Sequence, residues 1–188
     1  MSADAQKCLF REVFGSDSEE DVKEAVSTCP TACVHGLTHV KQWLSFPQQE
    51  DLLVAVEAEQ WFTGGANQAM RFGDFPNMGG RWTAQRRPLF DQLIVNLYQP
   101  GEGLKPHVDL LRFQDGIAIV SLQSSAILAF TRGEEVVDVR LDPGDLLLLE
   151  GEARYEWMHG ITAIPREQLL EQTGELWPRI SITLRKLI

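Results

Sequence analysis

The fold of this chain is decided by residues 117–151, IAIVSLQSSAILAFTRGEEVVDVRLDPGDLLLLEG, in which short apolar runs alternate with turn residues. The glycines, proline and aspartates of RGEE and DPGD are typical of turns, and the aliphatic runs between them are typical of strands. The pattern continues outward on both sides, in LIVNLY at 93–98 followed by PGEG, and in RYEWMHGI at 154–161. The regular spacing predicts an antiparallel barrel or sandwich and disfavours alternating strand–helix units.

Helices are predicted outside this β region. Ser45 followed by Gln48, with Pro47 in the first turn, forms a capping box, and the helix that it begins runs to about Trp61. A second helix is expected at PREQLLEQ, residues 165–172. The predicted fold class is therefore α+β with a mainly β core, a jelly roll with helices packed outside it.

The remaining segments complete the predicted domain organisation. A short strand is expected at 36–45, GLTHVKQWLS, and hairpins and loops at 62–90, where glycine, proline and aromatic residues are frequent. The acidic start of the chain suggests a short helix capped by Ser18. We expect an acidic N-terminal extension at 1–34 and one domain at 35–188, in which residues 35–90 precede a jelly-roll core at 91–188.

The charge of the chain is unevenly distributed. Its 188 residues include 17 Lys and Arg against 27 Asp and Glu, a formal net charge of −10. A uniformly acidic surface would repel nucleic acid and anionic lipid. Residues 1–60 carry −7 and residues 91–188 carry −6, whereas residues 61–90 carry +3. The charge thus disfavours broad nucleic-acid binding but leaves a local contact open at 61–90.

Cysteine content and hydropathy indicate the compartment. Cys8, Cys29 and Cys33 are too few for a disulfide framework and are expected to be free thiols. No apolar run has the length of a membrane span, and the N-terminus lacks the features of a secretory signal. We therefore expect a protein of the cytoplasm, the nucleus or both, without membrane contact.

Three residues of the β region have metal-ligand chemistry. His107 and Asp109 are two apart, so on a strand their side chains would share a face, and His159 follows about fifty residues later. Two histidines and one carboxylate are the ligand set of non-haem Fe(II) oxygenases. An H-x-D pair alone is more often structural. The iron-site interpretation therefore depends on finding all three residues in the same chain as the arginine-bearing strand at its C-terminus.

That last strand, RISITLR at 179–185, has two distinct faces. Arg179, Ser181, Thr183 and Arg185 share one face, and three aliphatic residues share the other. If the aliphatic face packs against helices, the arginines point into the barrel, where a buried guanidinium needs an anionic partner. A dicarboxylate cosubstrate would supply one. An exposed face with ordinary surface ion pairs is the alternative.

Four stretches together resemble the AlkB family of Fe(II)/2-oxoglutarate dioxygenases. They are FDQLIVNLYQPGEGLKPHVD at 90–109, IVSLQSSAILAF at 119–130, LDPGDLLLLEGEARYEWMHGIT at 141–162 and RISITLR at 179–185. The resemblance covers roughly half of the chain and is especially marked to the AlkB domain of the animal tRNA wobble-uridine hydroxylase. It implies a double-stranded β-helix core and O2-dependent oxidation of a substrate C–H bond, coupled to conversion of 2-oxoglutarate to succinate.

The resemblance also implies a role for each matching residue. It implies that His107, Asp109 and His159 bind iron and that Arg179 pairs with the distal carboxylate of 2-oxoglutarate. Asn96 and Tyr98 match the N-x-Y of the family, and Arg185 matches its second arginine; all should help to hold the cosubstrate. Ser181 stands where the family usually has Asn, and Leu184 where it usually has Phe, so the shorter Ser181 is expected to offer at most a hydroxyl contact.

Residues 61–90 occupy the place of the family's substrate lid. The substrate-binding candidates there are the arginines for phosphates and the aromatic residues for stacking on a base, namely Arg71, Phe72, Trp82, Arg86 and Arg87. This favours a modified base in nucleic acid as the substrate, with RNA, tRNA included, preferred over DNA. The alternative is that the aromatic residues only close the end of the barrel.

Two other classes of function stay open from the sequence. One is an oxygenase acting on a protein side chain such as methyl-lysine, which an acidic surface would suit. The other is a catalytically idle scaffold whose acidic N-terminus binds a protein partner.

Cys29, Cys33, His35 and His39 have the residue types of a separate zinc site. The C-x3-C-x-H-x3-H spacing is too compressed for the usual two-hairpin finger, and HGLTHV has the pattern of a strand. The sequence therefore favours a strand over a zinc site here.

Overall fold

The structure is a computed structural model and describes residues 33–75, 88–173 and 176–188. The described part contains ten strands, three α-helices and one 3-10 turn at Thr63–Gly65. The strands are β1 Leu37–Val40, β2 Gln68–Phe75, β3 Phe90–Tyr98, β4 Leu104–His107, β5 Ile117–Leu122, β6 Ala126–Arg132, β7 Glu135–Leu141, β8 Leu146–Leu149, β9 Met158–Ile161 and β10 Arg179–Arg185; the helices are α1 Phe46–Ala58, α2 Gly151–Tyr155 and α3 Arg166–Thr173. The described helices include none long and apolar enough to cross a membrane.

The strands form two antiparallel sheets. The larger has the order β1-β8-β5-β10-β3-β2 and the smaller the order β4-β9-β6-β7. Neighbours in both sheets are mostly distant in the sequence, which is typical of the jelly roll. The predicted mainly β, jelly-roll fold class is confirmed.

The apolar residues of the larger sheet are buried on both of its faces. One face packs against the smaller sheet, with Ile119 of β5 and Leu147 of β8 in the same buried cluster as Phe130 of β6. The opposite face packs against α1, where Leu52 and Val56 belong to a cluster that includes the aliphatic residues of β10. The prediction that the aliphatic face of β10 packs against a helix is therefore correct, and its polar face points between the sheets.

Local signals predicted two of the three described helices. The capping box is present, with the Ser45 backbone N–H donating to the Gln48 side chain at 2.9 Å. Helix α1 ends at Ala58, three residues before the predicted end at Trp61. The second predicted helix is α3. The short helix capped by Ser18 lies outside the described residues.

Two strand predictions were wrong in part. The strand expected at 36–45 ends at Val40, because Asp145 accepts the backbone N–H of Gln42 at 2.9 Å and turns the chain there. The first half of RYEWMHGI is helical, since Arg154 and Tyr155 lie in α2. The hairpins and loops expected at 62–90 agree with the described part of that segment, where β2 pairs antiparallel with β3 at the edge of the larger sheet.

Candidate active site

The three predicted metal ligands meet between the two sheets. His107 ends β4 and lies directly opposite His159 of β9, with ring centroids 4.5 Å apart. The Nε2 atom of His159 lies 3.6 Å from Oδ2 of Asp109, and each residue offers a ligand atom within 4.8 Å of the others. The sequence had suggested that Asp109 shares a strand with His107, but Asp109 lies two residues beyond the end of β4.

A glycine allows the two histidine strands to approach closely. A Cβ atom on Gly160 would lie 2.7 Å from the carbonyl oxygen of Leu104 and 2.8 Å from the backbone nitrogen of Pro106. Any larger residue would push β4 away from β9. Gly160 thus sets the spacing between His107 and His159.

Hydrogen bonds orient two of the ligands. The Nδ1–H of His107 donates to the carbonyl oxygen of Lys105 at 3.0 Å, which leaves its Nε2 lone pair for a metal. Arg185 donates to Oδ1 of Asp109, which leaves Oδ2 facing His159. The Nε–H of Arg185 donates to the Gln92 side chain at 2.7 Å. Arg185 therefore holds the carboxylate ligand in place.

His159 is uncharged at neutral pH. Burial lowers its pKa to about 4, and the nearby Asp109 carboxylate only partly opposes this effect. A neutral imidazole with a free lone pair is the form that binds a metal. His159 is 5% exposed, and its Nδ1 has no hydrogen-bond partner among the described residues.

Arg179 is a buried cation without a carboxylate partner in the described part of the chain. Its Nε–H donates to the hydroxyl of Ser121 at 3.1 Å, and its guanidinium lies 5.4 Å from the ring centroid of Tyr98. Burial lowers its pKa to about 10, so it remains charged at neutral pH. Desolvating a guanidinium without a counterion is costly. An anion bound here would compensate its charge.

Neutral hydrogen-bonding groups lie beside Arg179. Asn96 accepts from the side chain of Gln68 at 2.6 Å, so its own NH2 is available to donate into the cavity. Burial raises the pKa of Tyr98, against the opposing charge of Arg179, and its hydroxyl stays protonated. Ser181 is 4% exposed and lies between Asn96 and Ser121 in the sheet register.

These groups line one cavity of about 170 Å³. Its walls include the three metal-ligand candidates, the predicted cosubstrate residues and the apolar side chains of Ile94, Ile119 and Leu128. Ser121 and Gln92 were not predicted from the sequence, although they contact Arg179 and Arg185 of this cavity. Both lie at inward positions of the period-two alternation, Ser121 after Ile119 on β5 and Gln92 before Ile94 on β3, and that alternation is the signal that could have found them.

The structure separates Arg71 and Phe72, the two predicted substrate residues that it describes. Phe72 lies on β2 opposite Gln92, so it shares the cavity face of the sheet, and it is 62% exposed. Arg71 points to the other face, where it forms an ion pair with Glu59 at 2.8 Å and lies over the ring of Trp61. Arg71 is therefore away from the cavity. Trp82, Arg86 and Arg87 lie outside the described residues.

The structure does not bring His39 and Cys33 together as zinc ligands. His39 is buried, and its Nε2 lies 2.8 Å from the carboxylate of Asp145. Cys33 is a free, exposed thiol. Among the described residues, the sole group that could hold a metal ion is His107, Asp109 and His159. Cys29 lies outside the described part.

The site fits Fe(II) and 2-oxoglutarate on its own donor set. Two neutral imidazoles and one carboxylate leave coordination positions open for a chelating cosubstrate. Arg179, which has no carboxylate partner among the described residues, matches a second carboxylate, and Tyr98 and Asn96 line the same cavity. The fold and site together define a non-haem iron oxygenase that uses a 2-oxo acid.

Comparison with protein families gives the same result. Residues 81–185, more than half of the chain, match the family described as the 2OG-Fe(II) oxygenase superfamily, and the chain belongs to that superfamily. Within it, the chain is related to ALKBH8 and to other proteins named as AlkB homologues.

Two relatives show how far the similarity extends. The tRNA (carboxymethyluridine(34)-5-O)-methyltransferase alkbh8 of Xenopus tropicalis is 42% identical over 87 residues, which cover 45% of this chain and 14% of that protein. The Alkylated DNA repair protein ALKBH8 homolog of Arabidopsis thaliana is 27% identical over 207 residues, covering 82% of this chain and 59% of that protein. The chain thus spans less than two thirds of the length of these relatives.

Solved structures share the fold. The structure of OsALKBH1 superposes with a TM-score of 0.56 and 16% identity, covering 80% of this chain and 98% of the other. A Pseudomonas putida prolyl-4-hydroxylase also superposes with a TM-score of 0.56, at 14% identity, covering 84% of this chain and 96% of the other. Because one of these neighbours is named for protein hydroxylation, the fold alone does not decide the substrate.

Proposed function

We propose that this chain uses Fe(II), 2-oxoglutarate and O2 to hydroxylate or oxidatively demethylate a modified base in nucleic acid, preferably in RNA. The observation that carries the proposal is Phe72, a 62% exposed aromatic side chain on the cavity face of edge strand β2. Base stacking on an aromatic ring is a common mode of single-strand recognition. The related proteins named for tRNA and for alkylated DNA support a nucleic-acid substrate.

The chain's own residues would position the reaction. His107, Asp109 and His159 would hold the iron, and Arg179 would anchor the distal carboxylate of the cosubstrate. The apolar walls of the cavity would exclude water from the reacting atoms. Bound Fe(II) and 2-oxoglutarate supply the oxidising chemistry, in which O2 is consumed and succinate and carbon dioxide are released.

A larger space adjoins the cavity and suits an extended substrate. A groove of about 740 Å³ shares Gln68, Asn96, Tyr98 and Leu104 with the iron cavity. Its lining includes Asn67, Gln68 and Asn96, whose side-chain amides can both donate and accept hydrogen bonds. Such groups suit the edges of neighbouring bases better than phosphates, which favour Lys and Arg.

The test is turnover of purified protein with matched substrates. Protein loaded with Fe(II) and 2-oxoglutarate is incubated with modified RNA, modified DNA and methyl-lysine peptides, and succinate and product are measured by mass spectrometry. We expect product from RNA above that from DNA, and none with His107→Ala. Product from peptides alone would overturn the nucleic-acid proposal, and product from DNA alone would overturn the RNA preference.

Cellular nucleosides give a second, independent measurement. Mass spectrometry of RNA and DNA nucleosides, with and without the protein, should show one modified nucleoside in RNA that accumulates when the protein is absent. The boundary at residue 35, a protein partner for the acidic N-terminus and a cytoplasmic or nuclear location stay predictions.

A further inference from the structure

Arg154 is a buried cation outside the ligand set. It lies in α2, five residues before His159, and is 2% exposed. Removing a guanidinium from water costs several kcal/mol unless other groups compensate it. No carboxylate of the described residues pairs with Arg154; its guanidinium instead lies 4.8 Å from the ring centroid of Tyr155.

Its hydrogen bonds all go to one loop. Nη1 donates to the carbonyl oxygen of Asp109 at 2.9 Å, and Nη2 donates to those of Leu110 at 2.8 Å and Phe113 at 3.3 Å. The loop is closed by a further bond from the Phe113 backbone N–H to the Leu110 carbonyl at 3.1 Å. Because every acceptor is a backbone atom, Arg154 holds the path of the loop and not a particular side chain.

This loop carries a metal ligand that the sheet does not hold. Strand β4 ends at His107, so the backbone at Asp109 has no place in the strand pairing of the smaller sheet. Arg185 holds the Asp109 side chain, and Arg154 holds its backbone carbonyl. Arg154 lies on the segment that leads directly into β9 and His159.

We propose that Arg154 is a positioning residue for the iron site. It ties loop 109–113 to the segment that carries His159, so that the Asp109 carboxylate is held beside both imidazoles. The role requires the iron site of the superfamily but is independent of the nucleic-acid substrate, and its test uses the metal alone.

The test compares metal affinities of three variants. Mn(II) is titrated into metal-free protein, and free Mn(II) is followed by its electron paramagnetic resonance signal. Arg154→Met keeps an unbranched stem as far as the position of Nε but has no guanidinium and donates no hydrogen bond. We expect a dissociation constant raised by about ten- to a hundred-fold. Arg154→Lys keeps the charge and part of the hydrogen bonding, and should give an intermediate value.

Arg132 provides the matched control. It forms an ion pair with Glu152 of the same helix at 2.8 Å, and its guanidinium also lies over the ring of Trp157, just beyond the end of α2. Arg132→Met should leave the Mn(II) dissociation constant unchanged. A purely structural role for Arg154 would lower the melting temperature of Arg154→Met while leaving its Mn(II) affinity at the wild-type value, and that result would overturn the proposal.

Hydrogen exchange on the unmodified protein tests the same coupling if Arg154→Met does not fold. Binding of Mn(II) should slow amide exchange in loop 109–113 and in α2 together, because Arg154 connects them. Protection confined to the loop, with α2 unchanged, would contradict the role assigned to Arg154.

Discussion

Replacing Arg179 by methionine should weaken cosubstrate binding without destabilising the free protein. In the complex, the variant leaves a buried carboxylate of 2-oxoglutarate without its cation. Breaking a buried ion pair on one side costs about 3–5 kcal/mol. At about 1.4 kcal/mol per factor of ten, the dissociation constant for 2-oxoglutarate should rise by about a hundred- to several thousand-fold.

Without cosubstrate, Arg179→Met should leave the stability of the protein unchanged or raise it. Arg179 lacks a carboxylate partner among the described residues, so the methionine variant removes an uncompensated buried charge. Against this gain stand one hydrogen bond to Ser121 and the contact with Tyr98, together worth about 1–3 kcal/mol. We expect the melting temperature of the free variant to equal or exceed that of the wild type.

Thermal unfolding with and without cosubstrate measures both effects. With Mn(II) present and 2-oxoglutarate at about a hundred times its wild-type dissociation constant, the wild type gains about 2.7 kcal/mol. For a domain of this size that is a rise of about 5–11 °C, against about 2 °C or less for the variant. Arg140→Met removes an exposed arginine paired with Asp142 and should keep the full shift. A full shift in Arg179→Met would refute Arg179 as the cosubstrate anchor.

Three further outcomes are expected. Gly160→Ala should cost about 1–3 kcal/mol of unfolding free energy and weaken Mn(II) binding, because β4 must move away from β9. Gly133→Ala, at a position where a Cβ meets no atom within 4 Å, should leave the Mn(II) affinity unchanged. Equal Mn(II) affinities in the two variants would contradict the role of Gly160 in spacing the strands. Phe72→Ala should leave 2-oxoglutarate binding unchanged but weaken oligonucleotide binding by about 1–3 kcal/mol, measured by fluorescence anisotropy; an unchanged affinity would remove Phe72 from the substrate site. Asp145→Asn should lower the unfolding free energy at pH 7 by about 1–3 kcal/mol. Burial raises the Asp145 pKa, but hydrogen bonds from His39, Gln42 and the Asp142 backbone outweigh this effect and bring the pKa below the usual 3.8. The ionised carboxylate therefore stabilises the fold, and the stability deficit of the variant should shrink as the pH falls below about 4. A deficit that does not change with pH in denaturant titrations would contradict this.

Much of the site could be predicted because its chemistry follows local patterns. The period-two alternation of RISITLR correctly separated the arginine face from the aliphatic face. The same rule, applied to β2, would have shown that Arg71 and Phe72 point to opposite sides of the sheet. The H-x-D spacing correctly predicted that His107 and Asp109 lie close together, but the prediction that both are on one strand was wrong. Asp109 reaches the site from a loop, which Arg154 and Arg185, both distant in the sequence, hold in place.

By itself, the sequence determined the strand-rich class, the helix start at Ser45 and the residue types able to bind a metal and a dicarboxylate. These depend on neighbours within a few positions, so a local pattern contains them. Only the tertiary structure decided that β10 lies between β5 and β3, that His107 faces His159, and that Arg154 supports the Asp109 loop. Those contacts join residues far apart in the chain, and they follow from the order of strands in the sheets, which no local pattern specifies.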